Sequence, residues 1–372
     1  MIPQRIEVTN MQELFQLLAE YNAQTNREMY QILEGLPSEK LTEDLGSFYK
    51  SIIGLLNHHL TSDISYMRRL GEHFPEVAEA QPPLPDTEFD WSKPITWETL
   101  PDLESVRWDV DAFMKDVCAR MPEEKYADVL HYSTPWAGEQ VKVAWLMFLH
   151  VFNHETHHRG GVAVLLDQLQ VENDYSNIMR LPSPVPEDLP TPNGSLKEIF
   201  QLIAEYNSQA NHAMFDILDQ VPPEKVAEDV GSFYKSILGI ANHVLMADLT
   251  WLRRLAPHFP EFAEVQPPLP DVEFERGTDI VWPTLPELEA VRWDVDAFLK
   301  DAFGLIPAED FSKTIQYTSS RGEPRENIAW YSFLQFLNHE THHRGSIAVL
   351  SDQMQVENDY SSIIRLQVPP LE

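Results

Sequence analysis

Residues 153–160 read Asn-His-Glu-Thr-His-His-Arg-Gly, and residues 338–345 repeat the same eight letters. Both copies lie in apolar runs whose length and composition predict a helix. On a helix, residues four apart lie one turn above each other, so His154 and His158 face the same way. Imidazole is the commonest metal ligand in proteins, and two on one helix face are aimed at a common point. The stretch therefore predicts part of a metal site, whose third ligand must come from elsewhere.

The chain as a whole is a tandem repeat, since His154 and His339 set an offset of 185 residues that other segments share. Residues 46–52 return unchanged at 231–237, and residues 106–113 return unchanged at 291–298. The register holds without a gap to the Asp-Tyr-Ser segments at 174–176 and 359–361. Residues 183–194 are too rich in proline for helix or sheet and are predicted to form a semi-rigid linker. We therefore expect two domains, residues 1–182 and 195–372.

Each half shows the periodicity of four long amphipathic helices. In the first half these are predicted at about residues 10–33, 48–70, 103–120 and 143–169, with a short hairpin or ordered loop at 126–141. Gln81 to Asp86 contains three prolines and is expected to be loop. The predicted fold class is all-α, with two tandem four-helix bundles.

The repeat also sorts the 14 histidines of the chain. Five positions carry histidine in both copies. Of these, His73 and His258 precede Phe-Pro at a helix end, where they suit a C-terminal cap. His58 and His243 lie inside the second helix of each half and are the remaining candidates for the third ligand. The predicted metal ligands are His58, His154, His158 and His243, His339, His343.

Small residues beside these histidines suggest a cavity. On the helix stripe of His58 stand Ser51, Gly54 and Ser62, where an ordinary core would carry Leu, Ile or Phe. Three histidines with an open position are typical of a catalytic site, because structural zinc is usually four-coordinate and closed. His157 and His342 lie one residue off the ligand stripe, and we interpret them as groups that support the ligands, as proton shuttles or as packing residues.

Two other metal chemistries compete with this interpretation. Residues 154–158 match His-Glu-x-x-His, the metalloprotease pattern in which the glutamate is the general base, but Val164 stands where the extended motif has a third histidine. A carboxylate-bridged di-iron bundle needs Glu-x-x-His pairs on two helices. Glu155 and Glu340 are adjacent to a ligand and point about 100° away from it, which disfavours that arrangement.

The composition indicates which classes of partner the chain does not bind and in which compartment we expect it. With 27 Lys and Arg against 59 Asp and Glu, the formal charge is −32, which would repel nucleic-acid phosphates and anionic membranes. The single cysteine, Cys118, rules out an internal disulfide framework. No apolar signal region follows the first residues and no run is long enough to span a membrane. We expect no nucleic acid or membrane partner and a cytoplasmic location.

Taken together, these motifs resemble the DinB/YfiT-like family of metalloenzymes over both halves. The resemblance rests on Asn-His-x-x-x-His-Arg-Gly at 153–160 and 338–345 and on a histidine five residues before an aspartate, His58 with Asp63 and His243 with Asp248. The loop at 317–323 and the segment 173–176 are also similar to the family pattern. Two departures are Gly161 and Ser346, where the family frequently has glutamine, and the different first-half loop at 133–139.

The resemblance implies an up-down-down-up bundle with a divalent metal on three histidines, most often zinc or nickel, with iron or manganese as further options. Relatives include thiol-dependent isomerases and S-transferases, so the resemblance implies a metal-dependent transferase or hydrolase acting on a small molecule, with a low-molecular-weight thiol as a further cofactor. The alternative is a non-catalytic metal-binding stress-response protein. Family members dimerise, which implies that the two halves pack as an internal pseudo-dimer; self-association of whole chains is left open.

Overall fold

The computed structural model describes residues 11–90, 93, 95–134, 138–181, 195–274, 280–319, 322–360 and 362–365. The predicted linker at 183–194 lies outside these ranges. So do residues 135–137 and 320–321, in the loops for which the sequence indicates a difference between the halves.

Each half is built from four long helices with shorter elements between them. The first half contains α1 (Met11–Glu34), α2 (Ser38–Thr42), α3 (Ile52–Gly71), α4 (Pro75–Ala78), α5 (Leu100–Arg120), β1 (Val129–Thr134), β2 (Gly138–Val143) and α6 (Ala144–Gln168). The second half contains α7 (Ser195–Leu218), α8 (Pro223–Val226), α9 (Ile237–Leu255), α10 (Leu285–Leu305), β3 (Thr314–Thr318), β4 (Pro324–Ile328) and α11 (Ala329–Gln353).

The long helices of a half surround one apolar core. In the first half α1 packs against α5 and α6, and α3 packs against the same two helices. This ring of neighbours fits the expected up-down-down-up bundle, and the second half repeats it with α7, α9, α10 and α11. The all-α prediction of two tandem bundles is therefore confirmed. Within the described ranges, none of the helices combines the length and the apolarity needed to cross a bilayer.

The two short strands before each histidine helix form an antiparallel hairpin, with Val129 opposite Val143 and Thr314 opposite Ile328. This resolves the choice between a hairpin and an ordered loop in favour of the hairpin. The second long helix begins at Ile52 rather than near residue 48, because residues 47–50 form a tight turn closed by a hydrogen bond from Lys50 N–H to the Ser47 carbonyl.

The two halves join where α6 crosses α11. A Cβ atom added to Gly160 would lie 1.7 Å from the His342 carbonyl oxygen, and one added to Gly345 would lie 1.7 Å from the His157 carbonyl oxygen. Only glycine allows backbones to approach this closely. Two equivalent hydrogen bonds flank the crossing. Thr156 Oγ1 donates to Asn338 Oδ1 at 2.9 Å, and Thr341 Oγ1 donates to Asn153 Oδ1 at 3.0 Å. The halves thus form an intramolecular pair with approximate twofold symmetry.

The turn before the second long helix of each half also contacts the other half. Phe48 N–H donates to Asp352 Oδ2 at 2.9 Å, and Phe233 N–H donates to Asp167 Oδ2 at 3.0 Å. The ends of the crossing helices are tied by the Gln168 and Gln353 side-chain amides, which exchange hydrogen bonds of 2.9 and 2.8 Å. The surroundings of each histidine helix are therefore formed by residues of both halves.

We expect Gly160→Ala to destabilise the protein by more than about 3 kcal/mol, because the new methyl group meets backbone that cannot yield as a side chain can. Urea unfolding followed by circular dichroism measures this. The matched control is Gly304→Ala, in the exposed last turn of α10, where the added Cβ meets only Gln201 Nε2 at 3.6 Å. It should be neutral or stabilising by up to about 1 kcal/mol. Equal effects of the two changes would contradict the close crossing.

Candidate metal centres

The structure brings the predicted histidines together in two clusters. In the first half, His58 of α3 meets two histidines of α6: its Nε2 lies 3.2 Å from His154 Nε2, which lies 3.0 Å from His158 Nε2. In the second half, His339 Nε2 lies 3.1 Å from both His243 Nε2 and His343 Nε2. Within each cluster the candidate ligand atoms all lie within 4.8 Å of one another.

This geometry fits a divalent cation. Two nitrogens bound to one tetrahedral zinc ion at about 2.0–2.1 Å lie roughly 3.3 Å apart, close to the spacing within each cluster. Neutral imidazole is the form that binds metal. Burial lowers the pKa of His154 to about 3 and that of His339 to about 4, so both rings are neutral at neutral pH. Burial, together with the neighbouring histidines, also lowers the pKa of the other four rings.

A tyrosine from the preceding turn covers one ring of each cluster. Tyr49 stacks on His58 with ring centroids 4.2 Å apart, and Tyr234 stacks on His243 at 4.0 Å. The Tyr234 hydroxyl lies 2.9 Å from His243 Nε2, on the side where the three nitrogens converge. These tyrosines were missed by sequence reasoning, although the repeat of Gly-Ser-Phe-Tyr-Lys-Ser in both halves was the signal that could have found them.

The small residues before His58 serve that turn and not the cavity, so this part of the sequence interpretation was wrong. A Cβ on Gly54 would lie 2.0 Å from the Tyr49 carbonyl oxygen, and Ser51 caps α3 by accepting the Gly54 N–H. Gly54 therefore lets the turn fold back over the helix and bring Tyr49 onto His58. Of the three small residues, Ser62 does line the cavity.

The cavity beside the first cluster has a volume of about 500 Å³. All three histidines of the cluster line it, together with Ser62, Tyr66 and Arg69 of α3. Its opposite wall comes from the second half, which contributes Gly345, Val349, Asp352, Glu357, Asn358, Asp359 and Ser362. The cavity is thus completed by the repeat that does not carry its histidines.

Behind the first cluster lies a buried network of charged groups centred on Glu155. Its carboxylate contacts Arg159 at 2.8 Å, Arg107 at 3.0 Å and the His59 ring at 2.6 Å. Burial alone would raise the pKa of Glu155, but His59 and Arg107 hold it well below its usual range. In the second half Glu340 is likewise buried, near Arg292 and Arg344. Both glutamates lie close to buried arginines, and Glu155 does not line the cavity of the first half, so the metalloprotease interpretation lacks its general base there.

His59, Asp63 and Glu155 also place three candidate ligand atoms close together. Here, however, the Arg107 guanidinium already contacts Asp63 at 2.6 Å and Glu155 at 3.0 Å. We therefore interpret this group as an ion-pair network, in which the guanidinium already balances charge on both carboxylates. Comparison of the two repeats did not identify His59, because Val244 occupies the corresponding position in the second half.

His157 and His342 lie at the crossing of the two halves. His157 lines the cavity, with its ring centroid 5.0 Å from that of His158, and the His342 ring lies 6.4 Å from the Tyr175 ring. Burial, with smaller contributions from nearby cationic groups, lowers the pKa of each to about 3. Both rings are therefore neutral at neutral pH, and the roles of His157 and His342 stay predictions.

A search of protein-family models matched the model described as the DinB family at residues 10–182 and again at 193–359. Searches of curated proteins and of solved structures gave no match. The family match covers both halves, each with its histidine cluster.

We expect the metal-free protein to lose several kcal/mol of stability between pH 7 and pH 5. Nine histidines have a lowered folded-state pKa: His58, His59, His154, His157, His158, His243, His339, His342 and His343. Below about pH 6.5 the unfolded chain therefore binds more protons than the folded chain, and each extra proton costs about 1.4 kcal/mol per pH unit.

Four buried aspartates act in the opposite sense, because burial raises their folded-state pKa, to about 6 for Asp111 and Asp296. The histidines outnumber them, so stability should still fall as the pH falls. Urea unfolding at a series of pH values measures the slope of the unfolding free energy against pH. In the double variant His157→Asn/His342→Asn, this slope should fall by the contribution of about two protons. A stability that is constant or rises toward pH 5 would contradict the buried neutral histidines.

Proposed function

The chain belongs to the DinB family, and from that premise we propose that each half binds one divalent metal ion through three histidines for a reaction on a small molecule. The observation that supports the proposal is the convergence of three Nε2 atoms in each half, where the Nε2 of His154 or His339 lies 3.0–3.2 Å from the other two. We further propose the domain division 1–182 and 195–372, joined by a linker at 183–194.

A bound divalent ion would lower the pKa of a water or thiol and so supply a nucleophile at neutral pH. The protein's own residues prepare the site for this. Three neutral imidazoles leave the charge of the ion uncompensated and one coordination position open. Tyr49 and Tyr234 hold one ring of each set in place by stacking, and the Tyr234 hydroxyl is close enough to the convergent nitrogens to hydrogen-bond a molecule held there.

The size of the first cavity supports a small-molecule substrate. Its volume of about 500 Å³ falls within the range of small-ligand sites, which is about 300–1,000 Å³. We propose a thiol-dependent S-transferase or isomerase, in which a low-molecular-weight thiol reacts, or a hydrolase, in which water reacts. Zinc or nickel is the proposed metal, with iron or manganese as alternatives, because imidazole binds all four.

The second candidate is a metal-binding stress-response protein without catalysis. A storage or structural site is usually closed by a fourth protein ligand. The first cluster instead adjoins a cavity large enough for a ligand, and this favours the enzyme. We propose the cytoplasm as the compartment, since the one cysteine of the sequence, Cys118, is buried and unpaired.

The full-length protein should bind about two equivalents of zinc per chain, measured by elemental analysis after dialysis. His154→Ala should leave one equivalent, and His154→Ala with His339→Ala should leave none, because each change removes the histidine that lies between the other two. The control is His131→Ala, an exposed position on β1, which should keep both equivalents. Full metal content in the double variant would refute the proposed ligands.

A further inference from the structure

One stripe of helix α3 runs the length of the first cavity. His58, Ser62, Ser65 and Arg69 stand at intervals of four, three and four residues, and all four line the cavity. Such spacing places side chains on one helix face. Eleven residues of α-helix extend roughly 16 Å. The metal cluster and Arg69 therefore mark two separate places along the same cavity.

Arg69 lies near two aromatic rings and forms no ion pair with an acidic residue in the part of the chain that the structure describes. Its guanidinium carbon is 5.1 Å from the Tyr66 ring centroid and 5.5 Å from that of Tyr132. Among the described residues, no carboxylate lies within ion-pair distance of it, although acidic residues outnumber basic ones by 59 to 27 in the sequence. The two rings contact the guanidinium without accepting its N–H donors in conventional hydrogen bonds.

The neighbouring Arg68 shows what a structural arginine looks like in this helix. Its guanidinium donates to the carbonyl oxygens of Pro85 and Thr87 and lies over the Phe89 ring, so it anchors the proline-rich loop. Arg68 is not among the residues that line the cavity. The two adjacent arginines thus have different environments, one satisfied by backbone and one facing the cavity.

The second half repeats this division. Arg253 donates to the carbonyl oxygens of Pro270 and Val272, as Arg68 does in its own loop. Arg254 lies 5.2 Å from the Trp251 ring centroid and 5.7 Å from that of Tyr317. Burial lowers the pKa of Arg254, and only Tyr317 opposes the effect. Within the described ranges, an aromatic-flanked arginine that forms no ion pair with a carboxylate therefore occurs twice.

The other charged groups of the first cavity are acidic and lie on the opposite wall. The Asp352 carboxylate accepts hydrogen bonds from Phe48 N–H and Asn358 Nδ2, while Glu357 and Asp359 are exposed to solvent. Solvent screens exposed charges more strongly than the half-buried guanidinium. Among the described residues that line the cavity, Arg69 is the only lysine or arginine.

We propose that Arg69 is an anion-binding subsite, and that the first site takes a substrate with a carboxylate at one end and its metal-reactive group at the other. A planar guanidinium matches a carboxylate in two parallel hydrogen bonds. This inference rests on the proposed metal site for the reactive end of the substrate. It adds that the substrate carries a carboxylate at the end away from the metal and that Arg69 binds this carboxylate. Arg254 occupies the corresponding position of the second half.

The test uses a series of thiol probes of increasing chain length, bound to the full-length protein loaded with cobalt(II). The probes are ω-mercaptoalkanoates from mercaptopropionate to mercaptoundecanoate, each paired with the mercaptoalcohol of the same length. Thiolate binding to cobalt, with the thiol proton released to buffer, gives a charge-transfer absorption from which dissociation constants follow. At the length that spans the cavity, the acid should bind about tenfold more tightly than the alcohol.

Arg69→Met keeps the length of the side chain and removes its donors. It should abolish the preference for the acid at the first site and leave the affinity for the alcohol within about twofold. The double variant Arg69→Met/Arg254→Met should abolish the preference entirely, whereas Arg69→Lys should keep part of it. The matched control, Arg68→Met, removes the same charge one residue away and should keep the preference in full, even if unfolding is easier. A merely structural role for Arg69 would lower stability without changing the acid-to-alcohol ratio.

An acid preference that survives in the double variant, or equal binding of acids and alcohols at every length, would overturn the subsite while leaving the metal site intact. If neither class gives the cobalt–thiolate absorption, the thiol-dependent form of the proposed function fails instead. The anion-binding subsite is then tested by calorimetric titration of the metal-free protein with decanoate and with decanol. A preference for decanoate that Arg69→Met removes supports the subsite, and equal binding refutes it.

Discussion

The structure depends on the crossing of α6 and α11 at Gly160 and Gly345, where each backbone meets the carbonyl of a histidine on the other helix. These are the helices that carry two of the three candidate ligands in each half. Because the contact is made by backbone, it fixes how far apart and at what rotation the two histidine-bearing faces lie. The first cavity follows from it, since its walls are α3 and α6 on one side and, on the other, the end of α11 with residues 357–359 and Ser362.

A second constraint acts from behind the histidines. Glu155 is adjacent to His154 in sequence but points into the bundle, where its contacts with Arg107 of α5 and His59 of α3 join three helices. A buried ion pair contributes little net stability, because desolvation offsets the attraction, but removal of one partner leaves an uncompensated charge. The network therefore acts mainly to specify one arrangement of α3, α5 and α6. That arrangement is what brings His58 opposite His154.

Much of this could be predicted from the sequence, because the informative patterns are local or repeated. Helical spacing placed His154 and His158 on one face, and the repeat reduced the remaining histidines to His58 and His243. The roles of Tyr49, Gly160 and Arg69 could not be predicted in this way. Each depends on a contact between segments distant in the chain: a turn folded over α3, a crossing of two bundles, and a ring from the β-hairpin. Gly54 was assigned to the cavity because a glycine beside a histidine does not reveal which backbone approaches it.

The most direct test of the central claim is X-ray absorption spectroscopy of the full-length protein loaded with zinc. Convergent imidazoles in both halves should give an inner shell with three nitrogen ligands at about 2.0–2.1 Å and the outer-shell scattering of imidazole rings. An inner shell of oxygen alone, without imidazole scattering, would show that the ion is bound elsewhere. The histidine clusters would then be hydrogen-bonded groups at the centre of a duplicated helical protein.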